Sequence, residues 1–71
     1  MKTTRKPGRL GKKLKQLRAR ADLTQEQLAT AAGVDWSIVW RIETGERDGC
    51  TLDTAAKLAR ALAVSLDELA S

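Results

Sequence analysis

Apolar residues recur at helical spacing along most of this 71-residue chain. The members of the first series stand three or four residues apart, as one face of an amphipathic helix requires. They are Leu10, Leu14, Leu17 and Ala21. We therefore predict a first helix over about residues 9–21. Residues 1–8 hold the only proline and no apolar periodicity, which predicts a flexible basic arm in front of one folded domain, residues 9–71.

A short second helix is predicted over about residues 25–32. Thr24 is followed three residues later by Gln27, the spacing of a capping box that satisfies two backbone donors at the start of a helix. Gly33 follows the last apolar position and can adopt the left-handed backbone that ends many helices. The apolar residues of this helix share one face: Leu28, Ala29 and Ala32.

A third helix, about residues 36–43, has two contrasting faces. Asp35 is its predicted N-cap, and Gly45 follows its end. At about 100° per residue, its apolar face consists of Ile38, Val39 and Ile42. The opposite face holds Trp36, Ser37, Trp40 and Arg41. Exposed aromatic side chains beside arginine are typical of a recognition surface, although either tryptophan could instead fold over the edge of the core and complete it.

Two further helices are predicted in the last third of the chain. Thr51 is the predicted N-cap of a fourth helix, about residues 52–62. Its apolar stripe consists of Leu52, Ala55, Ala56, Ala59 and Leu62. Ser65 and Glu68 match a second capping box, at the start of a terminal helical turn that carries Leu66 and Leu69. No segment has the periodicity of a strand, so the predicted fold class is all-α, a compact five-helix bundle in which helices two and three form a helix-turn-helix.

Charge is divided unevenly along the chain. The formal net charge is +4, but the first 20 residues carry nine cations and no acid, which leaves residues 21–71 with a net charge of −5. A basic block of this kind either contacts a polyanion or serves solubility. It contains no aromatic residue that could stack on single-stranded bases, so a duplex backbone is the favoured polyanion.

Histidine is absent, and Cys50 is the only cysteine. The chain alone therefore cannot form a disulfide, a Cys/His zinc site or a His-based catalytic triad. A domain of this length has no room for a deep substrate pocket. We expect no enzyme activity, no cofactor and no metal, and we expect Cys50 to be a small, buried or half-buried packing residue. The short apolar runs predict no membrane segment and a cytoplasmic protein.

Four short motifs stand at a characteristic spacing in the chain. They are T-Q-x-x-L-A from Thr24, G-V from Gly33, I-E-x-G from Ile42, and L-A-x-A-L-x-V-S-x-D-x-L from Leu58. With these motifs, the stretch from Leu14 to Leu69 resembles the phage repressor and Cro-like family of helix-turn-helix proteins, also called the XRE family. The resemblance implies five helices, with helix three lying in the DNA major groove and helix two bracing it.

The resemblance also implies roles for individual residues. The base-reading positions would be Trp36, Ser37, Trp40 and Arg41. The residues that contact phosphate or steady the reading helix would be Lys13, Thr24, Gln25, Thr44 and Arg47. The cations of the N-terminal arm would be Lys2, Arg5, Lys6 and Arg9. Arg18 and Glu43 match a pair that joins helix one to the end of helix three, which implies an architectural ion pair.

Two regions depart from the family pattern. Between helices three and four, Glu46 and Asp48 would repel phosphate and leave Arg47 as the only cation of that loop. We expect the basic arm to supply phosphate contacts in its place. Ala63 stands where relatives favour a helix-ending glycine, at a cost of about 1 kcal/mol if the position requires left-handed backbone.

The sequence therefore predicts a transcriptional regulator that binds double-stranded DNA sequence-specifically, with repression as its expected mode and the nucleoid as its place in the cytoplasm. The resemblance implies a weak homodimer that forms around helix five and is strengthened on an inverted DNA repeat. The alternative is a protein-docking module, antitoxin-like or an adaptor, that captures a protein partner with Trp36 and Trp40.

Overall fold

The computed structural model describes residues 9–46 and 50–70, and these residues form five helices and no strand. The helices are α1 (Arg9–Arg20), α2 (Gln25–Ala32), α3 (Trp36–Thr44), α4 (Leu52–Ala61) and α5 (Leu66–Ala70). The predicted all-α class is confirmed, and three helices end one residue away from the predicted position. The proposed arm, residues 1–8, lies outside the described residues.

Four of the helices surround one apolar core, and the short α5 closes it. Helix α1 packs against α3 and α5, α2 packs against α3 and α4, and α4 also packs against α5. The largest fully buried side chains are Leu14, Leu28, Val39, Ile42, Leu58 and Leu69. Burying each such side chain contributes roughly 1.5 to 3 kcal/mol, so this core is the main source of stability for the domain.

The predicted apolar faces of α1 and α4 were wrong at four positions. Ala21 lies beyond the end of α1 and is exposed. On α4, Leu52 is 72% exposed and Ala56 is also exposed, whereas Leu58, absent from the predicted stripe, is fully buried. The buried face of α4 is centred near Leu58 and Leu62. On a helical wheel at about 100° per residue, Ala56 points away from this centre.

Three of the helices end in the same way. One or two residues after the helix end, one residue adopts left-handed backbone, and the residue that follows it donates its N–H to the carbonyl five positions earlier, which is a Schellman motif. The left-handed residues are Asp22 (φ 61°), Gly33 (φ 74°) and Ala63 (φ 59°). The donors that follow them are Leu23, Val34 and Val64, which pack against the core. The left-handed backbone on which the cost at Ala63 depends is therefore present, and the backbone N–H groups of its neighbours Leu62 and Val64 are hydrogen-bonded to α4.

The predicted caps of α4 and α5 are also present. The Thr51 hydroxyl accepts the backbone N–H of Thr54 at 3.1 Å, and the Ser65 hydroxyl accepts that of Glu68 at 3.0 Å. Cys50, the residue before Thr51, is half-buried and packs against the core, as expected for a packing residue.

Candidate nucleic-acid interface

Helices α2 and α3 form a helix-turn-helix with a defined start at each helix. The Thr24 hydroxyl accepts the backbone N–H of Gln27 at 3.0 Å, and the Gln27 side chain accepts the backbone N–H of Thr24 at 2.9 Å. The predicted capping box is thus complete. Gly33 supplies the left-handed turn, and Asp35 caps α3. Local sequence chemistry therefore fixes where the two helices begin and how the chain turns between them.

The outer surface of α3 presents two tryptophans, which we call the tryptophan pair. Trp36 is 45% exposed and Trp40 is 37% exposed. Their ring centroids lie 6.1 Å apart with an interplanar angle of 29°, so the indoles stack on one another. Neither belongs to the buried core, which is completed without them. The tryptophan pair is therefore a half-exposed apolar surface one helical turn long.

Ser37 lies beside this pair, but its hydrogen-bonding capacity is partly used. Its hydroxyl donates to the Asp35 carboxylate, and its backbone N–H donates to the same carboxylate oxygen, Oδ2, at 3.0 Å. These two hydrogen bonds, with a smaller contribution from the positive charge of Arg41, lower the pKa of Asp35. While it donates to Asp35, the Ser37 hydroxyl offers a ligand acceptor capacity.

Arg41 supplies the positive charge on this surface of α3. Its side chain is exposed and lies near enough to Asp35 to act on it electrostatically. Two carboxylates reduce the local positive potential: Asp35 itself, and Glu26 in the first turn of α2. Glu26, which sequence reasoning did not place at the site, lines a shallow open depression with Thr24, Gln25 and Trp36. The sequence feature that could have placed Glu26 at the site was its position on the first turn of α2.

A hydrogen-bonded network ties three helices together behind this surface. Arg18 of α1 binds Glu43 of α3 through two contacts, Nε to Oε2 at 2.8 Å and Nη2 to Oε1 at 3.0 Å. Gln25, the first residue of α2, donates its Nε2 to Glu43 Oε1 at 3.0 Å. Arg18 also donates to the carbonyl of Leu23 at 2.8 Å. The sequence implied the ion pair but gave no indication that Gln25 joins it.

The other candidate phosphate contacts are spread over the described residues. Lys13 is half-buried on α1, and Thr44, the last residue of α3, is half-buried with its hydroxyl near the Arg41 carbonyl. Arg9, assigned to the arm, is instead the exposed first residue of α1. Four candidates lie outside the described residues: Lys2, Arg5, Lys6 and Arg47.

Other kinds of site find no support in the described residues. Among residues 9–46 and 50–70, no group of three or more metal-ligating side chains could hold a metal ion. Over the same ranges, none of the helices combines the length and the apolar character that a bilayer crossing requires.

Comparison with known proteins gives a consistent result. A family model described as a helix-turn-helix domain matches residues 9–71. The restriction-modification controller protein C.AhdI from Aeromonas hydrophila is 40% identical, with a TM-score of 0.79 over 84% of this chain and 89% of that chain. SinR in complex with DNA is 27% identical, with a TM-score of 0.84 over 87% of this chain and 98% of that chain. The N-terminal DNA-binding domain of SinR from Bacillus subtilis is also 27% identical, with a TM-score of 0.83 over 87% and 90%. A comparison with curated protein sequences gave no match.

Proposed function

This chain belongs to the helix-turn-helix domain family, and from that premise we propose that it is a sequence-specific DNA-binding transcriptional regulator that reads the major groove with α3. The observation that carries the proposal is the outer surface of α3. It presents a tryptophan pair and an exposed arginine on a helix whose opposite face is anchored in the core. An α-helix fits the major groove of B-DNA, and arginine pairs bidentately with guanine.

The residues of the site divide into three roles. Those that would contact base edges are Trp36, Ser37, Trp40 and Arg41. Those that would contact phosphate or fix the register are Lys13, Thr24, Gln25, Thr44 and Arg47, with the cations of the arm. Arg18 and Glu43 hold α3 against α1, and their proposed role is architectural. The side-chain amide of Gln25 donates one N–H to Glu43, and its second N–H can donate to a phosphate oxygen.

The regulator acts as a repressor, on this proposal, and binds as a weak homodimer to a short inverted repeat. Two copies related by a twofold axis would place their α3 helices in successive major grooves, about 34 Å apart. Two free copies associate weakly, and binding of both to one operator strengthens the dimer. The protein works at the nucleoid in the cytoplasm, without a cofactor and without catalysis.

The first experiment is a titration with random-sequence duplex DNA at about 50 mM and 150 mM salt, followed by intrinsic fluorescence. Trp36 and Trp40 are the only tryptophans, so the signal reports on the proposed interface alone. We expect quenching that weakens steeply with salt, because each neutralised phosphate adds about 0.9 to the slope of log K against log[salt].

A second titration compares two arginine variants on duplexes that the wild-type protein enriches from a random library. Arg41→Ala should weaken binding roughly 10-fold or more, the loss expected for one bidentate base contact. Arg60→Ala removes the same charge from α4, which packs on α2 and α5, and should cost much less. Equal effects of the two variants, or no binding by the wild type at low salt, would contradict DNA reading by α3. A fluorescence change on adding a protein partner but not DNA would favour the docking function instead.

A further inference from the structure

We infer that the tryptophan pair reads the 5-methyl groups of pyrimidines, so that DNA recognition by this protein depends on thymine methyls and responds to 5-methylcytosine. This inference rests on the proposed function and specifies which chemical groups of DNA the first turn of α3 recognises. Its basis is the chemistry of the side chains at that turn, which leaves little capacity for hydrogen-bonded base reading.

The polar groups on this turn cannot form the usual bidentate base contacts. An indole has one polar atom, the Nε1 donor, and no acceptor, so neither tryptophan can imitate the asparagine or glutamine that grips adenine. Between them, Ser37 directs its proton at Asp35. Arg41, one turn further on, is the exposed side chain of α3 that carries several free donors. The hydrogen-bonded reading therefore belongs to Arg41, and the first turn offers apolar surface.

In the major groove, the apolar group that distinguishes one base pair from another is the C5-methyl of thymine. The tryptophan pair is suited to such a group because its surface is half exposed before DNA arrives. Stacking at 6.1 Å also holds each indole against the other. Because the rings are already positioned, less side-chain entropy is lost when a methyl group is covered.

The length of the pair sets the size of the recognised element. Trp36 and Trp40 are four residues apart, which is about 6 Å along the helix axis. Successive bases along one strand are separated by about 3.4 Å. The pair therefore spans about two base steps, and pyrimidine methyl groups within that run of bases would cover both rings.

This mode of reading has a consequence for methylated DNA. A cytosine that carries a 5-methyl group presents the same apolar group at the same position of the groove as thymine. An apolar surface senses the methyl group and has no acceptor to test the cytosine amino group beside it. Methylation of a cytosine opposite the tryptophan pair should therefore strengthen binding, and demethylation should weaken it.

The test uses duplexes that the protein enriches from a random 30-base-pair library. In each enriched duplex, thymines are replaced one at a time by deoxyuridine, which removes the methyl group and leaves base pairing unchanged. Wild-type protein should lose about fourfold in affinity at one or two positions of each half-site, the loss that corresponds to one uncovered methyl group. At those positions, a C·G pair should bind more weakly than T·A, and 5-methylation of that cytosine should restore about fourfold.

The variants Trp36→Ala and Trp40→Ala complete the test. Each should bind the enriched duplex more weakly and should lose its discrimination between thymine and deoxyuridine at one position. Trp40→Phe keeps an apolar ring and should keep discrimination, which separates methyl reading from a folding defect. Circular dichroism melting checks the fold of every variant.

Two outcomes overturn the inference. The first is wild-type protein that binds enriched duplexes but does not distinguish thymine from deoxyuridine at any position. The second is a deoxyuridine effect of equal size in wild type and both alanine variants, because the methyl group would then be sensed elsewhere. A protein that enriches no duplex contradicts the proposed function itself, which is a different result.

Discussion

Arg18 and Glu43 form a two-point ion pair between α1 and α3, with the arginine side chain 16% exposed and the glutamate side chain 3% exposed. The hydrogen bonds from Arg18 to Glu43, together with the charge of Glu43, raise the pKa of Arg18, while burial opposes the rise. Gln25 binds the same carboxylate from the start of α2. One buried carboxylate of α3 thus joins α1, α2 and α3.

The two halves of this ion pair should differ in what their loss costs. Arg18→Met strands a buried carboxylate whose remaining partner among the described residues is Gln25, and should lower the free energy of unfolding by about 3 kcal/mol. Glu43→Gln keeps an acceptor, and the partly exposed Arg18 can reach water, so its cost should be about 1.5 kcal/mol. Urea unfolding measures both costs, provided that the m-value is the same for each variant. Equal costs would show that the burial of Glu43 does not govern the energetics of this pair.

Because Ala63 adopts left-handed backbone, replacing it with glycine should stabilise the protein. Ala63 has φ 59° and is exposed, so Ala63→Gly relieves backbone strain without opening a cavity. We expect a gain of about 1 kcal/mol, or roughly 4 to 8 °C in melting temperature for a domain of this size. Ala56→Gly, which is exposed and inside α4, is the matched control and should instead cost about 1 kcal/mol. Destabilisation by both substitutions would contradict strain at Ala63.

Much of this fold could be predicted because its helix boundaries are local events. Thr24, Asp35 and Thr51 cap helices through hydrogen bonds to residues two or three positions away, a separation visible in the sequence. The predicted apolar face of α4 was partly wrong because the side of this helix that is buried depends on where α2 and α5 lie. At the candidate site, helical periodicity predicted that Trp36 and Arg41 lie on the outer face of α3, and both are exposed. The bond from Gln25 to Glu43 spans 18 residues and was not found, because spacing along the chain does not encode it.

Acid should weaken the cap of α3. The pKa of Asp35 is lowered in the folded state, so its contribution to stability is complete above the unfolded-state pKa of about 3.9 and is lost as the pH falls through the lower folded value. Asp35→Asn keeps an oxygen acceptor for the Ser37 N–H but does not titrate. The stability difference between wild type and Asp35→Asn, from urea unfolding between pH 6 and pH 2.5, should favour wild type at pH 6 and shrink below pH 4. A difference independent of pH would exclude a charged cap.

The basic arm should contribute to affinity through phosphates. Deleting residues 2–6 removes three cations. If each neutralises one phosphate, the slope of log K against log[salt] should fall by about 2.7, and binding at low salt should weaken. The same titration with the full chain provides the reference. Unchanged affinity at low salt would mean that the helical domain makes the backbone contacts by itself.

Glu26 should restrain the affinity of the site for DNA. It is exposed on the first turn of α2, beside the depression that Trp36 also lines, so on the proposed function its charge lies near the DNA backbone. Glu26→Gln should tighten binding about two- to fivefold at low salt, equally for enriched and random duplexes, because charge repulsion carries no sequence information. The gain should shrink as salt screens the charge. Asp53→Asn makes the same charge change on α4, which packs on α2 and α5, and should alter affinity less. An equal gain from both variants would show that net charge, and not the position of Glu26, sets the effect.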